Sequence, residues 1–382
     1  MDPSIVVAVV LVLAAGIALE MGFSSAIAEI LAGILLGLSF SEIGDLDWVK
    51  FLGHLGLLGL MFLAGFEVDI ERLRGTWRAS VGIGVASLMA PLLGVFLVCR
   101  FGFGLEWQTA GLMAIGLSTT SLALVYHALK ERGLLSREFG QIALSAATVV
   151  DILSMVALAV LLGNTGWGTL IFLLVVFPAI FGLPRVGKWF FRRYKGSIVE
   201  FELRFLMVVL ISMGFMAEHI GGIHPALIAF AIGLVMAEVV EEHGQVEEKL
   251  RAIVFSLLAP IFFLHAGLQI NLSLIGGEAL LQFAILFVVA VGLKFLGTAA
   301  ATQAFIGQSA GFLGLLFNYR LSFGIITATV GLEARLITEA QYSIILLVVV
   351  SSAVLPAVLL RDKPNELVEP DDDPGPRPGR DA

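Results

Sequence analysis

Residues 136–162 read SREFGQIALSAATVVDILSMVALAVLL, a segment long and apolar enough to cross a lipid bilayer. It nevertheless carries a carboxylate, Asp151, near its middle. A charged side chain at the centre of a bilayer costs at least about 2.5–3.5 kcal/mol, so such residues usually bind ions or move protons. The structural alternative is a buried ion pair that holds helices together. The position of Asp151 favours an ion or proton path.

The composition of the whole chain indicates a polytopic membrane protein. Of its 382 residues, 58% are hydrophobic and only 14% are charged, whereas about 25% are charged in a soluble domain. The formal charge of −8 gives no reason to expect a nucleic-acid partner. A single cysteine excludes an internal disulfide and a thiolate metal cluster. Because no metal-ligand cluster, phosphate loop or catalytic triad is present, we expect neither an enzyme nor a cofactor.

Windows of about 20 apolar residues predict about thirteen membrane-spanning helices, and hence an all-α fold. The predicted spans are 4–20, 24–40, 51–70, 79–103, 107–129, 136–162, 168–190, 201–219, 222–239, 249–270, 276–305, 309–332 and 338–360. The membrane domain then occupies residues 1–360. Residues 361–382 form an acidic, proline-rich tail whose composition is typical of disorder.

Loop charges predict how the chain lies in the cell membrane. Lysine and arginine accumulate on the cytoplasmic side of membrane proteins. In alternate loops, one side of the predicted topology collects nearly all of them, and the other side has only Lys50, Arg100 and Arg335. This asymmetry puts the C-terminus in the cytoplasm and, with an odd number of spans, the N-terminus outside.

Two basic residues lie inside predicted spans. Lys294 is in the middle of the eleventh span and Arg320 in the middle of the twelfth, at a depth similar to that of Asp151. The three charges are therefore expected to compensate one another. Polar residues spaced by three or four on the sixth span share one helical face, which we expect to line a hydrated cavity. They are Gln141, Ser145, Thr148, Asp151 and Ser154.

Two spans contain clusters of small and polar residues at their midpoints, within 116–121 and 314–324. Helices interrupted near the membrane midplane in corresponding places of two halves indicate a transporter site built from inverted repeats. Close helix packing is the alternative explanation for such small residues. The predicted ion-binding residues are Asp151, Ser118, Thr119, Thr120, Thr148 and Ser154, with Lys294 and Arg320 as supporting charges. A monovalent cation would bind at Asp151.

Several segments resemble the monovalent cation/proton antiporter superfamily, in order and in spacing. They are AEILAGILLG (28–37), LMFLAGFEVD (60–69), STTS (118–121), LKERGL (129–134), VVDIL (149–153), NYR (318–320) and ATVGL (328–332). In addition, Lys294 is similar to a lysine that many members have. The resemblance implies two crossing helices, a homodimer, and core and dimerisation subdomains. It also implies alternating access in which Na⁺ or K⁺ is exchanged for H⁺.

Departures from the family pattern refine this expectation. Electrogenic sodium/proton members have two adjacent aspartates, and potassium-efflux relatives have an amide before a single aspartate. Here Val150 precedes Asp151. Valine cannot bind a cation, so we expect one carboxylate and electroneutral exchange, closer to the potassium-efflux branch. A glutamate common in relatives is missing at Leu321 and Ser322, which leaves Arg320 without its usual neighbour.

Two other functions remain open at this point. A cation channel would also use interrupted helices, although its selectivity filter commonly has repeated carbonyl or charged rings. An organic-anion symporter could share the crossed helices and would depend on Lys294 and Arg320 rather than on Asp151. Glu20, Glu29, Glu67 and Asp69 lie toward span ends, where solvation is cheap, and we interpret them as structural.

Overall fold

The computed structural model describes residues 3–21, 24–67, 70–135, 137–163, 167–194, 200–217, 219, 223–241 and 244–360. The predicted tail at 361–382 lies outside these residues. The described chain is built of helices joined by short turns. The α-helices are α1 (Pro3–Met21), α2 (Ser25–Ser39), α3 (Asp47–Phe66), α4 (Ile70–Leu97), α5 (Trp107–Gly116), α6 (Leu122–Glu131), α7 (Glu138–Leu162), α8 (Trp167–Tyr194), α9 (Phe201–Met216), α10 (Pro225–Glu241), α11 (Gly244–Ile253), α12 (Ala259–Leu268), α13 (Gly277–Phe305), α14 (Ala310–Leu316), α15 (Ser322–Glu333) and α16 (Glu339–Leu359).

Each predicted span coincides with one helix or with two consecutive helices. The fifth and twelfth spans are interrupted as predicted, giving α5 with α6 and α14 with α15. An interruption that was not predicted separates α11 from α12 by the π-helical turn Val254–Leu258. Pro260 near the start of α12 has no backbone N–H to donate to the preceding turn, which explains the wider turn.

The predicted all-α membrane fold is confirmed. Seven helical stretches among the described residues are long and apolar enough to cross a membrane, and shorter apolar helices accompany them. The number of thirteen crossings stays a prediction, because length and composition alone do not fix it.

The helices pack into two groups. The first group, here called the panel, contains α1, α2, α3 and α8 to α12, and the second group, the core, contains α4 to α7 and α13 to α16. Within the panel, α2 packs against α12 and α3 against α10; within the core, α4 packs against both α7 and α13. Extensive packing is thus found inside each group and little between them.

Glycines in the panel reveal the inverted repeat. Gly33 on α2 and Gly267 on α12 each lie against a backbone carbonyl of the other helix, with no space for a Cβ atom. Gly65 on α3 and Gly233 on α10 lie against each other's helices in the same way. If α1–α7 and α9–α16 are the two halves, the second spans, α2 and α10, pack on the third spans of the opposite half, α12 and α3. This reciprocal packing is the arrangement of an inverted repeat.

Candidate ion-binding site

The two interrupted helices cross at their breaks. Residues 117–121 separate α5 from α6, and residues 317–321 separate α14 from α15. The Ser121 backbone N–H donates to the Tyr319 carbonyl oxygen over 2.6 Å, and the Thr120 hydroxyl lies 3.4 Å from the Phe317 carbonyl oxygen. These contacts join segments almost 200 residues apart in sequence. The breaks predicted from glycine, serine and threonine clusters therefore meet at one place.

Local side chains explain why the helices end here. The Ser118 hydroxyl donates to the Ala114 carbonyl oxygen over 2.6 Å, and the Thr119 hydroxyl to that of Gly116 over 3.3 Å. At the other break, the Asn318 side-chain amide donates to the Gly314 carbonyl oxygen over 3.0 Å. The last carbonyls of a helix lack partners within it, so short polar side chains can satisfy them.

Asp151 lies on α7 beside this crossing, and its side chain is only slightly exposed. The exposed part faces a cleft between the panel and the core, which has about 560 Å³ of empty space. Its polar lining includes Asp151, Thr120 and Ser322. Among the residues that the structure describes, none forms a hydrogen bond or a direct ion pair with the Asp151 carboxylate. This carboxylate is therefore available to a proton or a cation that enters the cleft.

Lys294 stabilises the end of α5 and does not pair directly with Asp151. Its side chain is completely buried on α13, and its Nζ donates to the Ser118 carbonyl oxygen over 2.6 Å. The C-terminal end of a helix carries a partial negative charge, which a cation neutralises. Lys294 nevertheless lies within electrostatic range of Asp151. The expected compensation between these two charges thus acts at a distance.

Arg320 is also completely buried. Its Nη2 donates to the Ala290 carbonyl oxygen over 2.6 Å and to the Asn318 side-chain oxygen over 2.7 Å. Its Nε and Nη1 have no partner in the described part of the chain. Arg320 therefore ties the second break to α13 and does not contact Asp151.

The other predicted ligands lie farther from the cleft. Thr148 and Ser154 are buried on α7 but do not line the cleft, and the Thr148 hydroxyl donates to the Leu144 carbonyl oxygen within its own helix. Ser118 and Thr119 likewise lie outside the lining. The geometry brings Asp151 and Thr120 together; ion binding by the remaining residues stays a prediction.

The cleft also contains a second carboxylate, which we did not predict there. Glu67, which we interpreted as structural, lines the cleft and lies within electrostatic range of Asp151. The Arg251 guanidinium donates to Glu67 over 2.7 Å and to Glu247 over 3.0 Å. Arg251 is 184 residues from Glu67 in sequence, so no local pattern could have revealed the contact.

Comparison with known proteins agrees with this architecture. The chain matches the transmembrane family of sodium/hydrogen exchangers over residues 5–361. The chain belongs to this family. Its membership confirms the resemblance to the monovalent cation/proton antiporter superfamily. It also confirms that the chain is a multi-pass membrane protein. It also confirms the expectation that the chain is a transporter rather than an enzyme.

Individual relatives extend over most of the chain. A probable Na⁺/H⁺ antiporter 3 of Methanocaldococcus jannaschii is 30% identical over 86% of this chain and 88% of its own length. The Na⁺/H⁺-K⁺ antiporter GerN of Bacillus cereus is 26% identical over 91% of this chain and 92% of its own length. The solved structure of the sodium proton antiporter MjNhaP1 from M. jannaschii has the same fold, with a TM-score of 0.63 at 15% identity. The match covers 94% of this chain and 95% of that one.

Proposed function

We propose that this protein exchanges a monovalent cation, Na⁺ or K⁺, for protons across the membrane by alternating access. The observation that carries the proposal is the Asp151 carboxylate, which faces the cleft at the crossing of two broken helices without a hydrogen-bonding or ion-paired partner in the described residues. The relatives named as antiporters support the same function. The transported ions serve as substrates, and no further cofactor is part of the proposal.

In the proposed cycle, the Asp151 carboxylate binds either a proton or a dehydrated cation. Oxygen atoms are the ligands that such cations prefer, and the hydroxyl-bearing residues Thr120 and Ser322 line the same cleft. Carbonyl oxygens at the helix breaks can supply further ligands. Because one carboxylate cannot hold both ions, the binding of one releases the other, and exchange follows from competition.

Val150 supports electroneutral exchange. Its side chain is completely buried in an apolar cluster and does not line the cleft, so Asp151 is the carboxylate that α7 presents there. Lys294 is held by the Ser118 carbonyl and acts as a fixed charge. The carboxylate of Glu67 is already paired with Arg251. One proton would then cross against one monovalent cation, and no net charge would move.

We also propose the orientation and the assembly that the sequence indicates. The N-terminus lies outside, the C-terminus lies in the cytoplasm, and the cleft opens to the cytoplasm because Glu67 and Arg251 adjoin basic loops. Large apolar side chains of α1, such as Val12 and Leu19, are exposed in the single subunit. They would contact lipid or the second subunit of a homodimer.

The decisive experiment measures pH gradients in proteoliposomes with Na⁺, K⁺ and Li⁺ supplied in turn. Asp151→Asn should abolish cation-dependent proton movement, because an amide does not exchange a proton with a cation. Its insertion and folding should be unaffected, since removal of a mid-membrane charge lowers the insertion cost. Glu278→Gln, at an exposed carboxylate in the first turn of α13, is the matched control and should keep full activity. Exchange near the wild-type rate in Asp151→Asn would refute the proposal.

A further inference from the structure

A second group of titratable side chains joins the panel to the core. The two carboxylate oxygens of Glu333, the last residue of α15, are 3.0 Å from His54 Nε2 and 2.9 Å from His224 Nε2. His54 lies on α3, and His224 immediately precedes α10. Glu333 therefore belongs to the core, whereas both histidines belong to the panel. We call these three residues the His–Glu bridge.

The hydrogen bonds of the bridge place acceptors at both ring nitrogens of His54 and at one of His224. His224 Nδ1 accepts from the Ala226 backbone N–H over 3.3 Å, so its other nitrogen carries the proton that is donated to Glu333. His54 Nδ1 lies 3.2 Å from the Lys50 carbonyl oxygen, and its Nε2 faces Glu333. Because the Lys50 carbonyl and the Glu333 carboxylate both accept, His54 donates to both only when each of its ring nitrogens carries a proton, unless Glu333 itself is protonated. All these contacts are satisfied together when the bridge holds one proton more than two neutral histidines and a carboxylate would hold.

The bridge lies on the face opposite the cleft. His54 is near the start of α3, whereas the cleft residues Met61, Leu63 and Glu67 are near its end. On the side of the bridge, the Tyr342 hydroxyl donates to the Ala266 carbonyl oxygen over 3.0 Å, which also joins core to panel. The panel and core are thus held together on one face and separated on the other.

We propose that His54, His224 and Glu333 form a second proton-binding site, which in its protonated form locks the panel to the core on the face opposite the cleft. When the extra proton leaves, the His54 Nε2 lone pair faces a carboxylate oxygen, and one of the two contacts becomes repulsive. The locked face is then free to open, and the cleft to close. This inference rests on the alternating access of the proposed function.

Other charged groups surround the bridge. His265 on α12 lies within electrostatic range of both His54 and Glu333, and Tyr342 on α16 lies within range of Glu333. Lys50 is one turn from His54, and its hydrogen bond over 2.8 Å lowers the pKa of the exposed Asp45. That ion pair is therefore formed at neutral pH and largely cancels the charge of Lys50. Histidine is the side-chain type that ordinarily changes its charge near neutral pH, so the bridge is tested at pH values on both sides of neutrality.

The test measures how often the cleft is open. Ala123 lines the cleft on α6, and the native Cys99 is buried. Ala123→Cys on a Cys99→Ala background is labelled with a maleimide in detergent at pH 5.5 and pH 8.5. The rate with the native bridge is divided by the rate with Glu333→Ala at the same pH, which removes the pH dependence of the thiol itself. We expect a ratio of about five at pH 5.5 and a ratio near one at pH 8.5. A factor of about five is at the low end of couplings between two sites, and we expect the low end because the His54 side chain is 57% exposed.

Glu333→Gln separates a proton site from a structural contact. Its amide can donate to a neutral His54 and accept from His224, so the bridge needs no extra proton, and the ratio should stay near five at both pH values. His127→Gln is the matched control, because His127 pairs with Glu131 at 3.2 Å within α6 alone; it should leave the ratios unchanged. A native ratio that does not vary with pH, or a Glu333→Gln ratio that falls like the native one, would overturn the inference. Labelling needs no transport, so its outcome is independent of the Asp151→Asn test.

Discussion

Neutralising Arg251 should increase the affinity of the cleft for cations, because it releases the charge of Glu67. In the native protein Arg251 lies 2.7 Å from Glu67, and both side chains are more than two-thirds buried. Glu67 and Asp151 both line the cleft and lie within electrostatic range of each other, so the charge of Glu67 and a cation at Asp151 are on the order of 10 Å apart, about one Debye length. Two unit charges about 10 Å apart interact by roughly 0.4 kcal/mol in water and by about 1.7 kcal/mol at an effective permittivity near 20. Arg251→Gln should therefore lower the apparent cation KM by about two- to twentyfold at low salt.

The assay is cation-dependent proton movement in proteoliposomes at low and high ionic strength. The effect should shrink as salt is added, since the Debye length is only about 10 Å at 0.1 M. Glu67→Gln should raise the KM by a similar factor. Lys249→Gln is the matched control: it removes the same charge from the same helix, but Lys249 is exposed and paired with Glu200. If the KM of Arg251→Gln is unchanged or higher, or if Lys249→Gln has the same effect, Glu67 does not act on the bound cation.

Three further predictions concern the crossing, the stoichiometry and the packing of the panel. Thr120→Val should raise the cation KM more than it reduces protein yield, because it removes the hydroxyl of a residue that lines the cleft; an unchanged KM would assign Thr120 to packing. An imposed membrane potential, clamped with an ionophore that does not carry the substrate cation, should leave the exchange rate unchanged, and clear acceleration would contradict one-for-one exchange. Gly233→Ala forces a Cβ atom against the Phe62 carbonyl oxygen and should destabilise the protein by about 1–3 kcal/mol, seen as a lower thermal midpoint in detergent. Gly292→Ala on α13, where a Cβ atom meets nothing within 4 Å, should leave the midpoint unchanged or raise it; equal losses in both variants would show that the contact with α3 is not the cause.

The positions of the helices were predictable because each depends on a continuous run of apolar residues. A lipid bilayer requires a helix of a certain length, and that requirement is local. The breaks at residues 117–121 and 317–321 were predictable for a related reason: serine, threonine and asparagine satisfy helix carbonyls within a few residues of themselves. The π-helical turn before α12 was not predicted, although Pro260 marks it in the sequence.

By itself, the sequence determined the helical membrane class, the two broken spans and the carboxylate at Asp151, since each follows from residue type and short-range spacing. Only the tertiary structure decided which charges meet. It brought Glu67 to Arg251 across 184 residues and His224 to Glu333 across 109, and it directed Lys294 to a carbonyl rather than to Asp151. Such pairs depend on which helices become neighbours and which faces they present. In the panel, glycines allow α2 to approach α12 and α3 to approach α10. These two helix contacts cannot be inferred from the order of residues along one helix.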